Sequence, residues 1–491
     1  MDNYVISRDI VKCLVCHDAP CSSACPSGVD PARIIRAAHF GNFKGALYRT
    51  TSACINCSAP CEKACVLDDY KIKRITTNFC KVKEEYKFDY KQADISSDIC
   101  GIKIENPFLL SSSVVSSSYD MCKRAFEAGW AGVSFKTICL MNIHEASPRF
   151  SALKGLDGSF LAFKNIEQLS DHSVVENLEI FKRLKKEFPN KFLLVSIMGR
   201  DKNEWEYLAK ESEKAGADAI ELNFSCPNMT EEGTGSDVGE VPELVEIYTR
   251  TVCEAVKIPV IAKLTPNVGS LSPQAVAAKK GGAKGISAIN TIKSITELNM
   301  AEKVNKNNRI GKISVGGLSG KSVKPIALRF ISELSKNTKL KGMHISAMGG
   351  VYSYEDALMF ISLGAGSIQI TTAVMEYGYR IIEDLKEGLA YFLAGTGKKS
   401  LKELQGINID NIVKTEELER DYVIYPKFVR DNCLQCGRCY ISCQDGGHQA
   451  IKFENRIPTL DPKRCVGCHL CVLVCPNRAI VSSEIKVKKG K

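Results

Sequence analysis

The sequence predicts an α/β protein with a (β/α)8 barrel in its middle and a small cysteine-rich domain at each end. Three observations carry this prediction. The chain has 491 residues, which is enough for one large domain and one or two small ones. Its middle alternates short β-branched runs with amphipathic segments. Its 22 cysteines concentrate at the ends, with eight between residues 13 and 65 and eight between residues 433 and 475.

The middle of the chain contains eight short apolar runs that we interpret as buried strands, and several are separated by segments of helical period. Buried strands that alternate with helices indicate a parallel sheet. About eight units in one domain fit a closed barrel better than an open doubly wound sheet, which is the alternative. No GxGxxG motif follows the first run, which counts against a dinucleotide fold. The predicted strands are 132–138, 192–198, 219–225, 259–265, 285–291, 312–317, 344–350 and 367–373, and the clearest helical segments are 203–216, 242–256, 324–334 and 354–364.

Domain boundaries follow from the change in cysteine content. We predict an N-terminal helical domain at 1–85, a barrel at 90–400, a linker at 401–423 and a C-terminal domain at 424–491.

Composition predicts a soluble protein, with 44% hydrophobic and 25% charged residues. No apolar run approaches membrane-spanning length, and the first residues, MDNYVISRDIVKC, lack the apolar segment of a signal peptide. We therefore expect a cytoplasmic protein that does not enter membranes. The net charge of +10 suits an electron-transfer partner or an anionic cofactor as well as a solvated surface. Nucleic-acid binding is not predicted, because no basic stretch is interleaved with stacking aromatic residues.

The C-terminal cysteines follow the spacing C-x2-C-x2-C-x3-C twice, in CLQCGRCYISC and CVGCHLCVLVCP. This is the pattern of bacterial ferredoxins with two [4Fe–4S] clusters, in which the fourth cysteine of each run ligates the other cluster. Zinc is the alternative, but zinc sites rarely use three cysteines so spaced. One predicted cluster is held by Cys433, Cys436, Cys439 and Cys475, and the other by Cys465, Cys468, Cys471 and Cys443.

The N-terminal cysteines lie in CLVCHDAPCSSACP and CINCSAPCEKAC, a less regular spacing for which zinc is a stronger alternative. These motifs resemble the N-terminal cluster domain of dihydropyrimidine dehydrogenases and of the glutamate synthase small subunit. The resemblance implies two further [4Fe–4S] clusters, one held by Cys13, Cys16, Cys21 and Cys65 and the other by Cys25, Cys57, Cys61 and a fourth ligand. In those families a downstream Gln or Glu can be that ligand. Here Thr76 stands in its place, so we predict that Cys54 is the fourth ligand.

Polar side chains follow six of the predicted strands, and barrel enzymes place their chemistry at the carboxyl ends of strands. The segments NPFLLSSS, FKT, ELNFSCPN, AKLTPNV, AINT and GGLSG resemble the FMN barrel of dihydropyrimidine dehydrogenases, which belong to the dihydroorotate dehydrogenase superfamily. Together with the C-terminal motifs, the resemblance covers nearly the whole chain. The FAD- and NAD(P)H-binding part that animal members carry in the same chain is not recognised here.

The resemblance implies an FMN site at the barrel mouth. A phosphate suits the backbone N–H groups of glycine turns near helix N-termini, and a cation near N1 stabilises the reduced flavin. Lys136 and Lys263 are the candidate cations. The implied FMN contacts are Ser112, Lys136, Thr137, Lys263, Gly320, Met348, Gly349, Gly350, Thr371 and Thr372. The implied substrate contacts, whose amides and hydroxyls suit a uracil ring, are Asn165, Asn223, Ser225, Asn290 and Thr291.

Cys226 stands alone in LNFSCPNM, far along the chain from the clustered cysteines. Reduction of a pyrimidine C5–C6 double bond requires a hydride at C6, which FMN N5 delivers, and a proton at C5 from an acid on the opposite face. A mostly protonated thiol suits that task, since free cysteine has a pKa near ~8.5. Cys226 matches the catalytic cysteine of the family, and a small buried hydrophobe is its alternative role. We expect the glycine-rich loop at 229–240 to close over the substrate.

We therefore expect a flavin and iron–sulfur oxidoreductase that reversibly reduces uracil or thymine to the 5,6-dihydropyrimidine. Electrons would come from NAD(P)H through a separate FAD subunit or another donor, and the resemblance implies a homo-oligomer or heterotetramer. A dihydroorotate dehydrogenase is the nearest alternative, although the carboxylate of its substrate requires a cation and the implied contacts are neutral. A non-catalytic electron-transfer protein is the other alternative.

Overall fold

Eight parallel strands close into a barrel in the part of the chain that the structure describes. The structure is a computed structural model, and it describes residues 9–85, 89, 91–156, 158–229, 232–296 and 313–488. The strands pair in chain order, and the last pairs with the first, so the open-sheet alternative is wrong. The strands are β1 Phe108–Leu110, β2 Gly132–Ile138, β3 Phe192–Ile197, β4 Ala219–Phe224, β5 Val260–Leu264, β6 Gly285–Ala288, β7 His344–Met348 and β8 Ser367–Ile370.

One long helix follows each strand, as the predicted strand–helix alternation requires. Sequence signals fix several helix starts: the Asp201 side chain accepts backbone N–H groups of Asn203 and Glu204, and Ser173 forms a capping box with Glu176. The four predicted helical segments are confirmed within a few residues at each end. The helices are α1 Tyr119–Ala128, α2 Val174–Glu187, α3 Lys202–Lys214, α4 Pro242–Ala255, α5 Ser272–Lys280, α6 Lys324–Lys336, α7 Tyr354–Ser362 and α8 Ile381–Gly395.

The predicted strand at 312–317 is wrong as a member of the barrel. Residue 312 lies outside the described residues, and Ile313 and Val315 are exposed. The strand observed nearby, Gly316–Ser319, pairs antiparallel with Phe160–Asn165 in a separate sheet. The true first barrel strand, β1, was not among the predicted runs. It has only three residues, all buried, and such a short apolar run lacks a periodicity that identifies it.

The separate sheet has four strands among the described residues and is antiparallel throughout. Its strands come from the segments after β2 and β6, so it stands at the carboxyl end of the barrel strands. Their order across the sheet is Ile292–Ser294, Gly316–Ser319, Phe160–Asn165 and Phe150–Lys154. The barrel and this sheet belong to one compact unit, which comprises Phe40–Tyr48 and Phe88–Ile412. Its remaining described elements are one hairpin, three short helices and four 3-10 turns. The hairpin is Ser97–Ile99 with Ile102–Ile104, the helices are Phe43–Arg49, Ser236–Gly239 and Thr372–Tyr377, and the 3-10 turns are Val114–Ser116, Lys321–Val323, Thr338–Leu340 and Leu401–Glu403.

A second unit comprises Met1–His39, Arg49–Lys87 and Val413–Lys491. Its N-terminal part is helical, as predicted, and packs around buried Ile34, Ile75 and Phe79. The repeated A-P-C-x-x-A-C sequence folds the same way twice: an alanine with positive φ, Ala19 or Ala59, precedes one helical turn that begins at proline. The helices are Pro20–Ser23, Pro31–His39, Ser52–Cys54 (3-10), Pro60–Lys63 and Ile72–Glu85.

The C-terminal part has two antiparallel strand pairs and short helices that carry the cysteines, consistent with the predicted ferredoxin-like domain. The pairs are Tyr422–Phe428 with Ile480–Lys488 and Ile451–Glu454 with Ile457–Leu460, and the helical segments are Thr415–Glu417, Arg430–Asn432, Arg438–Gly446 and Leu470–Leu473. None of the described helices, in either unit, has the length and apolarity required to cross a membrane.

Candidate active site and cluster cavities

A cavity of about 1120 Å³ opens at the carboxyl ends of the barrel strands. The loops after the barrel strands and the separate sheet supply its walls. Every residue that the sequence predicts for FMN, substrate or catalysis lines the cavity, except Ser225.

Hydrogen bonds connect the predicted residues on one side of the cavity. Thr137 Oγ1, at the end of β2, lies 3.1 Å from Ser112 Oγ and 2.8 Å from Ser196 Oγ. Asn223, at the end of β4, donates its side-chain amide to the same oxygen at 2.9 Å. These contacts fix the orientation of the Asn223 amide at the cavity wall.

Ser225 does not line the cavity but extends this hydrogen-bond network behind the residues that do. It is fully buried, and its hydroxyl donates to Asn223 Oδ1 at 2.9 Å while accepting the Asn290 amide at 2.8 Å. Asn290 Oδ1 in turn accepts the backbone N–H of Thr291 at 2.8 Å. Ser225 therefore orients two asparagines that line the cavity, instead of facing the cavity itself.

Cys226 is the only cysteine among the described residues that line this cavity. Burial, at 6% exposure, raises the pKa of its thiol to about 11, while the backbone N–H of Asn228 and the charge of Lys263 oppose the shift. The thiol is therefore protonated at neutral pH. A protonated side chain on the wall of a ligand cavity is a candidate proton donor.

The segment after Cys226 folds back against the end of β4. A Cβ on Gly235 would lie 2.5 Å from the carbonyl oxygen of Cys226, and a Cβ on Gly239 would lie 1.8 Å from that of Phe224. Only glycine permits this approach, so Gly235 and Gly239 hold the chain against the strand end. Residues 230 and 231 of the loop predicted to close lie outside the described residues.

Both candidate lysines are buried and ion-paired. Lys136 Nζ lies 2.7 Å from Glu167 Oε2, and Arg149 lies 2.8 Å from the other oxygen of that carboxylate. Lys263 Nζ lies 3.6 Å from Glu221 Oε1. Neither glutamate could be predicted from the sequence, because a pairing between strands or loops far apart in the chain leaves no local pattern.

Glycines form a concave turn where the predicted phosphate contacts lie. Gly320, Gly349 and Gly350 all have positive φ, and a Cβ on Gly350 would lie 2.9 Å from the backbone nitrogen at the start of α6. Thr372 begins a short helix beside them and donates its hydroxyl to Ser319 at 2.9 Å. Loops after the seventh and eighth strands with a short extra helix are a recurrent phosphate site in barrels. The residues present thus fit the phosphate of FMN.

Other cavity residues were not predicted as contacts. Asn228 donates its amide to the carbonyl oxygens of Asn165 at 3.3 Å and Glu167 at 3.1 Å, which ties the Cys226 segment to the separate sheet. Asn228 lies within the LNFSCPNM motif, and Glu167 lies two residues after Asn165. Their proximity in the chain to predicted contacts is the sequence signal that could have identified them as cavity residues.

Each predicted C-terminal cluster set surrounds its own cavity. Four thiols line a cavity of about 370 Å³, and four others line one of about 340 Å³. The fourth cysteine of each run does cross to the other cavity. The sets are Cys433, Cys436, Cys439 and Cys475 for the first, and Cys443, Cys465, Cys468 and Cys471 for the second.

A comparable cavity of about 330 Å³ lies in the N-terminal part, and the thiols that line it are Cys25, Cys54, Cys57 and Cys61. Thr76 also lines it, but its hydroxyl donates to the carbonyl oxygens of Ile72 and Lys73 within its own helix. Cys80, nearby in sequence, donates its thiol to the carbonyl oxygen of Thr51 at 2.9 Å. The structure therefore brings Cys54 together with the other three predicted ligands.

The last predicted set is Cys13, Cys16, Cys21 and Cys65. Burial raises the pKa of Cys13 to about 11, and the charges of Cys21, Cys16 and Cys65 act in the same direction. The three other cysteines of the set thus lie near enough to Cys13 to act on its charge. Such a set of thiols has the donor chemistry for an iron–sulfur cluster.

Comparison with known proteins agrees with this arrangement. The family model described as dihydroorotate dehydrogenase matches residues 94–393, and that described as 4Fe-4S dicluster domain matches residues 427–482. The second match confirms the prediction of iron–sulfur clusters at the C-terminus.

Three relatives illustrate the similarity. The chain is 49% identical over 388 residues to the NAD-dependent dihydropyrimidine dehydrogenase subunit PreA of Escherichia coli (strain K12), covering 79% of this chain and 94% of that protein. It is 35% identical over 313 residues to the chloroplastic dihydropyrimidine dehydrogenase (NADP(+)) of Arabidopsis thaliana, covering 61% and 74%. It is 35% identical over 310 residues to the catalytic subunit of dihydroorotate dehydrogenase B (NAD(+)) of Pyrococcus abyssi, covering 62% and 95%.

Among solved structures, the ligand-free type DHODH from Eimeria tenella superposes with a TM-score of 0.54 at 17% identity. The superposition covers 66% of this chain and 94% of that one, and it shows a shared fold. The resemblance to dihydropyrimidine dehydrogenases inferred from the motifs is confirmed.

Proposed function

The chain belongs to the dihydroorotate dehydrogenase family of oxidoreductases, and from this premise we propose that it reduces the C5–C6 double bond of uracil or thymine. The observation that carries the proposal is the buried thiol of Cys226 on the wall of a cavity lined by amides and hydroxyls. The names of the relatives at 49% and 35% identity, dihydropyrimidine dehydrogenases of a bacterium and a plant, support it.

In this proposal Cys226 gives its proton to C5 of the pyrimidine and afterwards regains one from solvent. Its raised pKa keeps the donor loaded at neutral pH. The segment that carries it is fixed by Gly235 and by the amide of Asn228, so the thiol needs little rearrangement to reach a bound ring. Removing that thiol therefore removes the proton source and leaves the cavity walls in place.

Asparagine amides and a threonine hydroxyl recognise the ring. Asn165, Asn223, Asn290 and Thr291 line the cavity with donors and acceptors, which match the two carbonyls and two N–H groups of uracil. Ser225 is a positioning residue for Asn223 and Asn290. None of these four contacts carries a charge, whereas the carboxylate of dihydroorotate would require a cation, and this favours a neutral ring.

The cavity fits FMN. Gly320, Gly349, Gly350, Thr371 and Thr372 would hold its phosphate, while Ser112, Lys136, Thr137, Lys263 and Met348 would contact the rest of the cofactor. When bound, FMN supplies the hydride that adds to C6. Lys136 and Lys263 stabilise negative charge on the reduced cofactor from buried positions.

The cysteine cavities hold the clusters that supply electrons. We propose [4Fe–4S] clusters in the two N-terminal sets as well, with Cys54 as the fourth ligand beside Cys25, Cys57 and Cys61. Electrons come from NAD(P)H through a separate FAD-binding subunit, a role consistent with a relative that is named as a subunit. The assembly is a homo-oligomer or a heterotetramer, and the reaction is reversible.

Anaerobic flavin reoxidation tests the substrate. The purified protein is reduced, mixed separately with uracil, thymine and orotate, and followed by flavin absorbance. We expect uracil or thymine to reoxidise the flavin and orotate to do so at least about tenfold more slowly. Fast reoxidation by orotate alone would establish the dihydroorotate dehydrogenase alternative, and a preparation with iron but no flavin would establish the electron-transfer alternative.

A further inference from the structure

A polar layer fills the barrel interior directly below the cavity. It consists of one side chain from each even-numbered strand: Ser134 on β2, Glu221 on β4, Ser287 on β6 and Gln369 on β8. All four are at most 1% exposed. Barrel interiors are normally packed in layers of four side chains from alternate strands, but with branched apolar residues. Burial of a carboxylate in such a layer costs desolvation free energy, so the carboxylate requires partners that stabilise it there.

We call these four residues the polar layer, and Glu221 is at its centre. Ser134 donates to its Oε1 at 3.1 Å, and Ser287 and Gln369 donate to its Oε2 at 2.8 and 3.1 Å. Lys263 Nζ lies 3.6 Å from Oε1. These partners, all among the described residues, give both oxygens of the buried carboxylate a hydrogen-bond donor.

The polar layer joins the cavity through Lys263. This lysine is 3% exposed and lines the cavity, as does Gln369, while Glu221 lies one level deeper. The Lys263 ammonium thus has the cavity on one side and the Glu221 carboxylate on the other. The position and the effective charge of the cation both depend on Glu221.

We propose that Glu221 is a positioning residue: it holds Lys263 at the cavity floor and offsets part of its charge, so that the pair sets the reduction potential of the bound flavin. This inference rests on the proposed function, because it requires FMN in the cavity. The reduced flavin is anionic, so its stability relative to the oxidised form depends on the charge below it.

The proposal fixes the signs of three substitutions. Glu221→Gln leaves the lysine charge uncompensated, which favours the anionic reduced flavin and moves its midpoint potential to more positive values. Lys263→Met leaves a buried carboxylate and moves the potential to more negative values. The double variant removes both charges, so its potential lies between those of the single variants and near that of the unmodified protein.

A charge change elsewhere is the matched control. Glu206→Gln on α3 also removes one carboxylate from an ion pair, with Lys210, but at the exposed surface away from the cavity. We expect it to leave the flavin potential unchanged. Circular dichroism and FMN content establish that each variant is folded and loaded.

The measurement is an anaerobic spectroelectrochemical titration of flavin absorbance on the full chain. Opposite shifts for the two single variants, with recovery in the double variant, support the proposal. Shifts of the same sign, or no shift in Glu221→Gln, overturn it. If Glu221→Gln fails to retain FMN, the comparison of Lys263→Met with the double variant decides, because equal potentials would exclude a contribution from Glu221. A chain that binds no flavin at all refutes the FMN proposal instead, whereas failure with pyrimidines leaves this titration intact.

Discussion

Cysteine performs two different tasks in this chain, and the barrel cavity and the C-terminal domain show what separates them. In the barrel cavity, Cys226 is the only thiol among the described residues of the wall, and it is buried among amides and lysines. In the C-terminal domain the thiols come in fours around cavities of about 340 and 370 Å³. A lone buried thiol keeps its proton and can donate it, whereas four thiols around one cavity can together bind iron as thiolates.

The largest expected effect is the loss of Cys226. Cys226→Ala should lower the turnover of pyrimidine reduction by about 10²–10⁴-fold, the range typical of a lost general acid. FMN and iron content should not change, because Cys226 is neither a predicted cluster ligand nor one of the residues predicted to hold the cofactor. Steady-state assays with cofactor analysis check this result.

Cys253→Ala is the matched control, since this half-buried cysteine on α4 is outside the cavity. It should retain full activity. If Cys226→Ala kept its activity within about threefold of the unmodified protein, Cys226 would not be the proton donor.

Removal of a cluster cysteine should affect the other half of the comparison. Cys439→Ala takes one of four thiols from its cavity, so the cluster is lost or degraded and turnover driven by the electron donor falls by at least about tenfold. Flavin that is reduced directly by light should still be reoxidised by uracil, because the barrel cavity is intact. Iron analysis and both assays together distinguish the two steps, and equal loss of both activities would contradict the separation.

Substitution of Cys54 tests whether the grouped cysteines of the N-terminal part also ligate a cluster. Cys54→Ala should lose the iron of one cluster, about four atoms per chain, and the corresponding electron paramagnetic resonance signal. Cys80→Ala is the control, because its thiol is engaged by the carbonyl oxygen of Thr51 and does not line the cavity. Full retention of iron in Cys54→Ala would assign the fourth ligand elsewhere.

The smallest expected effect is that of pH on the rate of pyrimidine reduction. Burial raises the pKa of Cys226 to about 11, so the donor form is fully populated at pH 7 and remains so at pH 9. The rate of flavin reoxidation by uracil should therefore change less than about twofold across this interval. The reverse oxidation needs the thiolate, so its rate should rise about tenfold per pH unit below the pKa. A reduction rate that falls steeply between pH 7 and 9 would show a different donor.

Local patterns in the sequence predicted much of this molecule. The ligand sets of the C-terminal clusters follow from spacing alone, because the chain folds each C-x2-C-x2-C run around one cavity and sends the fourth cysteine to the other. Seven of the predicted barrel strands were confirmed because buried apolar runs of four or more residues are conspicuous. The three residues of β1 were not conspicuous, and the apolar run near Ile313 resembled a strand although it is exposed.

The charges below and beside the cavity could not be predicted in this way. Glu221 lies inside a strand that reads as uniformly buried, and its partners Ser134, Ser287 and Gln369 come from three other strands. Glu167 meets Lys136 across 31 residues of chain. Only the closure of the barrel brings such groups together. Sequence patterns therefore identified groups that line the cavity and missed the carboxylates that pair with its lysines.

A single-turnover experiment in deuterated water tests most directly whether Cys226 supplies the proton. The fully reduced protein is exchanged into deuterated water and mixed anaerobically with uracil, and the product is analysed by nuclear magnetic resonance while flavin absorbance reports the rate. The proposal predicts one deuterium at C5, on a single face, formed at least about a hundredfold more slowly in Cys226→Ala than in the unmodified protein. Formation of the same product at an unchanged rate in Cys226→Ala would contradict it.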